Sequence, residues 1–270
     1  MKYELGILGS GNMAEAIVRG VLNAQRLTPQ QIIAADVSAE RRKFFQDELG
    51  VIAIEDNAAV ARQSRIVLLS VKPQMMQAAL GGIGKVMSAD SLVISIAAGI
   101  SCEFIESALG ETAAWRVVRS MPNTPMLVGQ GMVAVAAGKN ATADDIAAAR
   151  HLFECAADVI EVFETQIDAV TAISGSGPAY FFFLVEQMIA AGIQLGLSPE
   201  QSRKLAAKTA LGAATMLTTS PDSPAELRRK VTSPGGTTAA AIASMESHGL
   251  PQIVIDAIKA AEKRSKELGR

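Results

Sequence analysis

Two classes of residue are scarce in this sequence, cysteine and the aromatics, and basic residues show no excess. The two cysteines, Cys102 and Cys155, stand in neither CxxC nor CxxH spacing, which argues against a zinc motif and favours free thiols over a disulfide. Aromatic residues make up only 4% of the chain, so its hydrophobic fraction is mostly aliphatic. Basic residues are not in excess (25 against 27 acidic, net charge −2), and we therefore expect no nucleic-acid partner.

Long apolar runs are missing as well. Glu4 places an acid near the N-terminus, and glycine and asparagine interrupt the apolar stretch that follows, so we expect no secretory signal. The most apolar later segment, residues 179–197, contains a glutamate and two glutamines and predicts a buried helix rather than a membrane span. These features predict a soluble, cytoplasmic protein without a membrane partner.

The chain has two halves of different pattern, which matches the roughly two domains expected for 270 residues. In residues 1–163 short apolar runs alternate with amphipathic stretches, which predicts an α/β domain with a Rossmann-type, doubly wound parallel sheet. In residues 164–270 the strand signal disappears and an all-helical domain is predicted. The predicted strands are residues 5–8, 32–35, 66–69, 92–96, 116–119, 132–136 and 159–163, and the later helix starts are Ser176, Ser198, Ser223 and Gly249.

The predicted helix at residues 178–195 is apolar on almost its whole circumference, and residues 180–183 form a block of four aromatic side chains. A helix of this kind must be buried on every side. It is either the central helix of the second domain or part of an interface with a second subunit. We favour the interface, and therefore expect a homodimer or a larger homo-oligomer.

The first predicted strand leads into a dinucleotide-binding fingerprint of the form GxGxxA. Gly9 permits a tight turn, Gly11 lets the backbone approach a pyrophosphate, and Ala14 allows close packing of helix on strand. The N–H groups of the helix's first turn would then face the phosphates. The predicted cofactor-binding residues here are Gly9, Ser10, Gly11, Asn12, Met13 and Ala14.

Asp36 ends the second predicted strand, where an acid usually accepts a hydrogen bond from the ribose 2′-hydroxyl of NAD. The same carboxylate would repel the 2′-phosphate of NADP. Arg41 and Arg42, one turn into the next helix, either reach such a phosphate or form a solvated helix face. The choice between NADH and NADPH is therefore open.

The loops after later strands of a parallel sheet meet the same ligand. Lys72 and Asn123 are predicted to contact ribose, phosphate or nicotinamide, although turn chemistry explains the neighbouring prolines equally well. The predicted cofactor-binding residues in these loops are Val71, Lys72, Pro73, Ala97 and Asn123.

The helical half contains two polar loops. The first, residues 174–178, includes Ser176. The second is residues 232–238, where two glycines and the two threonines after them lead into a helix predicted to start at residue 239. We expect this arrangement to bind a carboxylate rather than to form an ordinary glycine-rich cap. His151 and His248 lie in no motif, and no general acid is evident. A cyclic imine can arrive already protonated, so this absence favours C=N over C=O reduction.

Residues 168–180 and 227–238, together with residues 9–14, 71–73 and 121–125 in the same order, resemble pyrroline-5-carboxylate reductase. The resemblance covers essentially the whole chain and implies reduction of L-1-pyrroline-5-carboxylate to L-proline with NADPH or NADH, the last step of proline synthesis. It also implies a helical dimerisation domain interleaved between subunits, and a site between that domain and the Rossmann domain.

The resemblance further implies roles for single residues. The amides of Gly235, Gly236 and Thr237 would hold the substrate carboxylate, with Ser176 nearby, and the Thr238 hydroxyl would face the ring nitrogen or the carboxylate as the catalytic group. Asn123 would face the nicotinamide. Asp36 departs from family members that have asparagine or serine at this position.

Two alternatives share parts of this pattern. A β-hydroxyacid dehydrogenase needs a catalytic lysine about one turn into the helix after its glycine-rich loop, and residues 180–183 contain none. A non-catalytic dinucleotide-sensing protein would need no anion site such as residues 233–238.

Overall fold

The computed structural model describes residues 1–268. It contains two compact units, one formed by Met1–Ser176 with the end of the last helix from Ala261 onward, the other by Gly177–Ala260. The predicted domain boundary at residues 163 and 164 stays a prediction, since this division follows packing within one chain. The strands are β1 (Tyr3–Leu8), β2 (Ile32–Ala35), β3 (Ile52–Ile54), β4 (Ser64–Leu69), β5 (Leu92–Ser95), β6 (Arg116–Met121), β7 (Gly131–Ala137) and β8 (Ala157–Glu161).

The helices follow the predicted division into an α/β half and a helical half. Short 3₁₀ turns supplement them at Pro29–Gln31, Pro73–Met75, Ile83–Lys85, Thr124–Val128 and Glu164–Gln166, and a π-helical turn lies at Thr171–Gly175. The α-helices are α1 (Asn12–Asn23), α2 (Ala39–Leu49), α3 (Asn57–Gln63), α4 (Met76–Leu80), α5 (Cys102–Leu109), α6 (Ala143–Phe153), α7 (Ile167–Val170), α8 (Gly177–Gln194), α9 (Pro199–Thr219), α10 (Pro224–Lys230), α11 (Thr237–Ser247) and α12 (Leu250–Leu268).

One eight-stranded sheet organises the first unit, in the order β3-β2-β1-β4-β5-β6-β7-β8. The chain builds outward from β1 to β3, then returns to place β4 on the other side of β1. This reversal makes the β1/β4 boundary the switch point at which doubly wound sheets bind ligands. The predicted Rossmann-type architecture is confirmed.

Three details of the sheet differ from the prediction. β7 runs antiparallel to β6, because the short 3₁₀ connection between them cannot carry the crossover that a parallel pair needs. β3 was not predicted, because its three residues are too few to show a strand pattern. β8 ends at Glu161 rather than at residue 163, and Phe163 is exposed.

Both faces of the sheet are buried, as the continuous apolar runs predict. In β4, Ile66 and Leu68 belong to one core cluster, whereas Val67 and Leu69 belong to the other, because successive strand side chains point to opposite faces. Cys102 and Cys155 are free thiols, as predicted, and burial raises the pKa of both. Both thiols are therefore held in the protonated, unreactive form.

Helix ends follow local sequence closely. The Ser38 hydroxyl caps α2 by accepting from the Arg41 N–H, and Gly50 ends that helix with a φ of 65°. Ser198 with Gln201 forms the predicted capping box of α9, and Ser223 caps α10. Helix α8 begins at Gly177, directly after the predicted start at Ser176, but Ser176 has α-helical torsion angles and ends the π-helical turn rather than capping α8.

Helix α8 leaves its three phenylalanine side chains exposed. Phe181, Phe182 and Phe183 are 63–65% exposed, so the interpretation of this helix as an internal core helix is wrong. An exposed apolar block of this kind marks an interaction surface. Within residues 1–268, no helix is long and apolar enough to cross a membrane.

Candidate functional site

The turn after β1 requires glycine at its first position. Gly9 has a φ of +97°, and an added Cβ would lie 2.6 Å from the Ser70 carbonyl oxygen. Its N–H donates to the Ala35 carbonyl (2.8 Å), while the Ser70 N–H donates to the Leu8 carbonyl (2.8 Å). The loops after β1, β2 and β4 therefore meet at Gly9, at the switch point of the sheet.

The next residues form a cradle that fits a pyrophosphate. Gly11 caps α1, and an added Cβ would meet no atom within 4 Å. The N–H groups of the first turn have no acceptor inside a helix and point out of its end. The buried Ser10 hydroxyl has no hydrogen-bond partner among residues 1–268, and Ala14 is fully buried where α1 packs on the sheet. These features suit the phosphates of a dinucleotide.

Asp36 is tied to this cradle through its carboxylate. Oδ2 accepts from the Ser10 N–H at 2.6 Å and Oδ1 accepts from the Ser38 N–H at 2.8 Å. The carboxylate keeps further lone pairs for a ribose hydroxyl. It lines a cleft of about 450 Å³ together with Val37, Asn57 and Lys72. Asn57, which was not predicted, begins α3 just after the unpredicted strand β3.

Arg41 and Arg42 are bonded to the protein rather than solvated, so their interpretation as a solvated helix face is wrong. Arg41 Nε donates to the Ser10 carbonyl at 2.6 Å, and its guanidinium lies 4.6 Å from the centre of the Phe44 ring. Arg42 Nη1 donates to the carbonyls of Asp36 (2.7 Å) and Val37 (3.0 Å). Both guanidinium groups therefore stabilise the loops around the cleft.

A second cleft of about 430 Å³ lies across the ends of β1, β4, β5 and β6. It brings together residues from the loops after β1, β4, β5 and β6, and Lys72 lines both clefts. Ser176, predicted from a separate loop, lies on the same wall as Gly175 and Thr171, a residue that was not predicted. The predicted residues on this cleft are Gly11, Asn12, Met13, Val71, Lys72, Pro73, Ala97 and Ser176.

The segment carrying Ser176 is a π-helical turn, not the predicted loop. The Ser176 N–H donates to the Thr171 carbonyl at 2.8 Å, five residues back, and the Thr171 hydroxyl donates to the Ile167 carbonyl at 2.8 Å. Wide turns of this kind inside helical segments frequently lie at functional sites. Serine and glycine at residues 174–177 resemble a loop, and only the hydrogen bonds identify the turn.

Asn123 is 8% exposed, and both the oxygen and the nitrogen of its side-chain amide form hydrogen bonds within the protein. Oδ1 accepts from the Met132 N–H at 2.9 Å, and Nδ2 donates to the Ser174 carbonyl at 3.1 Å. One amide hydrogen remains for a ligand. The predicted nicotinamide contact therefore stays a prediction. The structure adds that the Asn123 side chain joins two segments of the first unit.

The predicted anion site lies in the second unit, at the start of α11. That helix begins at Thr237, two residues before the predicted start, with Gly236 as its N-cap and Gly235 at a φ of +71°. The Gly236 N–H donates to the Ser233 carbonyl at 3.0 Å, and its predicted contact with the substrate carboxylate stays a prediction. The first-turn N–H groups, beginning with those of Thr237 and Thr238, have no acceptor inside the helix.

Both histidines lie at the C-terminal ends of helices. His248 ends α11, and its Nδ1 lies 2.8 Å from the Ser244 carbonyl, as expected of a histidine at a helix C-terminus. His151 lies in the last turn of α6. Among residues 1–268, no group of histidine, cysteine, aspartate and glutamate side chains is arranged to hold a metal ion.

Known proteins resemble the chain over its full length. A pyrroline-5-carboxylate reductase of Pseudomonas aeruginosa is 44% identical over 98% of this chain and 96% of its own, and one of Synechocystis is 40% identical over all of both chains. The chain belongs to the pyrroline-5-carboxylate reductase family. The resemblance seen in the motifs is thereby confirmed, and these relatives support it over the dehydrogenase and sensing-protein alternatives.

Family models and solved structures agree with this assignment. Residues 164–268 match the pyrroline-5-carboxylate reductase dimerisation model, which supports a homo-oligomer, and residues 4–99 match that of coenzyme F420-dependent NADP oxidoreductases. A pyrroline-5-carboxylate reductase of Coxiella burnetii (37% identity) and one of Plasmodium falciparum solved with NADP bound (31%) both superpose with a TM-score of 0.89 over the whole of each chain.

Proposed function

We propose that the chain reduces L-1-pyrroline-5-carboxylate to L-proline with NADH or NADPH, as a cytoplasmic homodimer or larger homo-oligomer. The full-length identity of 44% to a pyrroline-5-carboxylate reductase carries this proposal. The glycine cradle and the two clefts at the switch point support it, because they suit an extended dinucleotide with its nicotinamide end in the second cleft.

Each part of the chain has a task in this reaction. The cradle and Lys72 bind the phosphates, and Asp36 accepts from the adenosine ribose. When bound, the cofactor supplies the hydride. The N–H groups of Thr237 and Thr238 hold the substrate carboxylate, and the Thr238 hydroxyl orients the ring. Gly235 supplies the left-handed residue that shapes the turn before α11.

The second cleft suits a substrate that brings its own proton. Of the described residues that line it, Lys72 alone has an ionisable side chain. A carbonyl substrate would need a proton delivered to the developing alkoxide, whereas a protonated cyclic imine needs only orientation and hydride transfer. The native chain should therefore oxidise NADH or NADPH when given pyrroline-5-carboxylate, and a complete lack of turnover would refute the proposal.

Replacing Thr238 tests the proposed anion site. Thr238→Ala removes a hydroxyl bond to the substrate, so kcat/KM for the imine should fall by about 10- to 100-fold, the equivalent of roughly 1.4–2.8 kcal/mol. Thr238→Ser should recover much of the loss. Ser247→Ala, at the opposite end of α11 where the hydroxyl donates to the Ser244 carbonyl, is the matched control. Native kinetics in Thr238→Ala would remove this residue from the site.

Replacing Asp36 tests the cofactor choice. Asp36→Asn removes the negative charge that would face a 2′-phosphate but keeps an oxygen for the Ser10 or Ser38 N–H. We expect the ratio of kcat/KM for NADPH to that for NADH to rise by about tenfold, the equivalent of roughly 1.4 kcal/mol. Fluorescence titration should show the same shift in Kd. An unchanged ratio would mean that the ribose does not lie against Asp36.

A further inference from the structure

The Ser174 carbonyl lacks the N–H donor that a carbonyl in an α-helix normally has. In a continuous α-helix it would accept from the N–H of residue 178, but Pro178 has no N–H. A proline ring also clashes with the carbonyl four residues before it, which favours a wider turn at this position. The π-helical turn Thr171–Gly175 ends three residues before Pro178. This part-buried carbonyl therefore needs a donor other than the N–H of residue 178.

Asn123 supplies that group. Its Nδ2 donates to the Ser174 carbonyl at 3.1 Å, across 51 positions of sequence, while its Oδ1 accepts from the Met132 N–H at the start of β7. With Asn123 only 8% exposed, water has little access to compete for either bond. The Asn123 side chain thus connects the start of β7 to the π-helical turn.

The two segments that Asn123 connects both line the second cleft. Met121 and Pro122, the residues just before Asn123, line it from the end of β6. Thr171, Gly175 and Ser176 line it from the π-helical turn. The Asn123 bonds therefore hold the π-helical turn against the sheet, next to the close approach of Gly175 to Met121.

We propose that Asn123 is a positioning residue: its amide substitutes for the N–H that Pro178 lacks and thereby sets the wall of the second cleft at Gly175 and Ser176. The consequence for catalysis rests on the proposed reduction at this cleft. The role is distinct from a nicotinamide contact, because it acts through the backbone of the turn and does not require the side chain to touch the cofactor.

Asn123→Asp isolates the bond to Ser174. The variant keeps the oxygen that accepts from Met132 but places a second oxygen, in place of the donor, against the Ser174 carbonyl. Asn140→Asp is a matched control, because the Asn140 Nδ2 also donates to a backbone carbonyl, that of Trp115 at 3.2 Å, and Asn140 lines neither cleft. Asn123→Ala, which removes both bonds, completes the series.

Hydrogen exchange provides a readout independent of activity. In Asn123→Asp we expect the amides of residues 171–176 to exchange at least tenfold faster, while they exchange at the native rate in Asn140→Asp. The Kd values of NADH and NADPH, measured by fluorescence, should stay within about threefold of native. KM for the imine should rise, or kcat fall, by tenfold or more.

A pH series separates positioning from general damage. In Asn123→Asp the introduced carboxyl group, once protonated, regains an O–H donor for the Ser174 carbonyl, so the activity of the variant relative to native should increase as the pH falls. Native exchange in residues 171–176 of the variant would overturn the proposal. So would losses of similar size in stability, cofactor affinity and imine turnover. A native chain without imine turnover would instead refute the proposed function, and the exchange result would still decide whether Asn123 anchors the turn.

Discussion

Gly9→Ala should destabilise the folded chain by about 2–5 kcal/mol, the combined cost of a left-handed residue with a side chain and of a steric overlap. The φ of +97° disfavours alanine, and its Cβ would lie 2.6 Å from the Ser70 carbonyl oxygen. That carbonyl belongs to the backbone and cannot turn away as a side chain would. The loops after β1 and β4 would have to separate, so cofactor binding should fail as well. Urea unfolding and fluorescence titration measure the two effects.

Gly11→Ala, two residues later, should behave differently. An added Cβ there meets no atom within 4 Å, and the residue caps α1 with a negative φ. The free energy of unfolding should therefore change by less than about 1 kcal/mol, an effect typical of substitutions that disturb no packing. The open space is where the pyrophosphate is expected, so NADH and NADPH should bind at least tenfold more weakly. Native affinity in this variant would show that the pyrophosphate does not approach Gly11.

Arg119→Met should destabilise the chain by about 3–5 kcal/mol, the usual result of removing one partner from a buried ion pair. The Arg119 side chain is 5% exposed and lies 3.3 Å from Asp168 and 3.6 Å from Glu164. Asp168 also accepts from the Ser265 hydroxyl at 2.7 Å, and Glu164 accepts from the Cys102 N–H at 2.7 Å. Methionine would leave both carboxylates without their cation.

Lys43→Met is the matched control for Arg119→Met. Lys43 pairs with Asp47 on the surface of α2, where the two side chains are 76% and 53% exposed, and water screens such exposed pairs so that they contribute little to stability. Comparing the urea unfolding of the two variants separates burial from charge pairing as such. Equal losses of stability would mean that the Arg119 cluster contributes no more than a surface pair.

Much of the fold could be predicted because the relevant residues are close together in the sequence. Ser38 and Gly50 set the ends of α2 through bonds within a few residues, and the apolar runs of the inner strands need only their own pattern. β7 could not be oriented in this way, since its antiparallel pairing with β6 depends on the connection between them and on the space beside β6. β3 was missed because three residues show no periodicity.

The candidate site likewise has residues that could be predicted from local sequence and residues that could not. The glycine cradle and Asp36 were predicted, because a dinucleotide fingerprint is a local pattern. The partners of Arg41 and Arg42 were not, because a long side chain can bond to any carbonyl within reach, and the Ser10 carbonyl is 31 positions from Arg41. Asn123 was assigned to the cofactor, and its link to Ser174 became visible only in three dimensions.

The sequence by itself determined the two-part organisation, the glycine turn at the switch point, the helix caps and the family. Each of these depends on residue types at short, fixed spacing. Tertiary structure alone decided the orientation of β7 and the partners of Asn123 and Arg119. These depend on groups far apart in the chain, and a buried polar group takes whichever partner the packed fold brings within hydrogen-bonding distance.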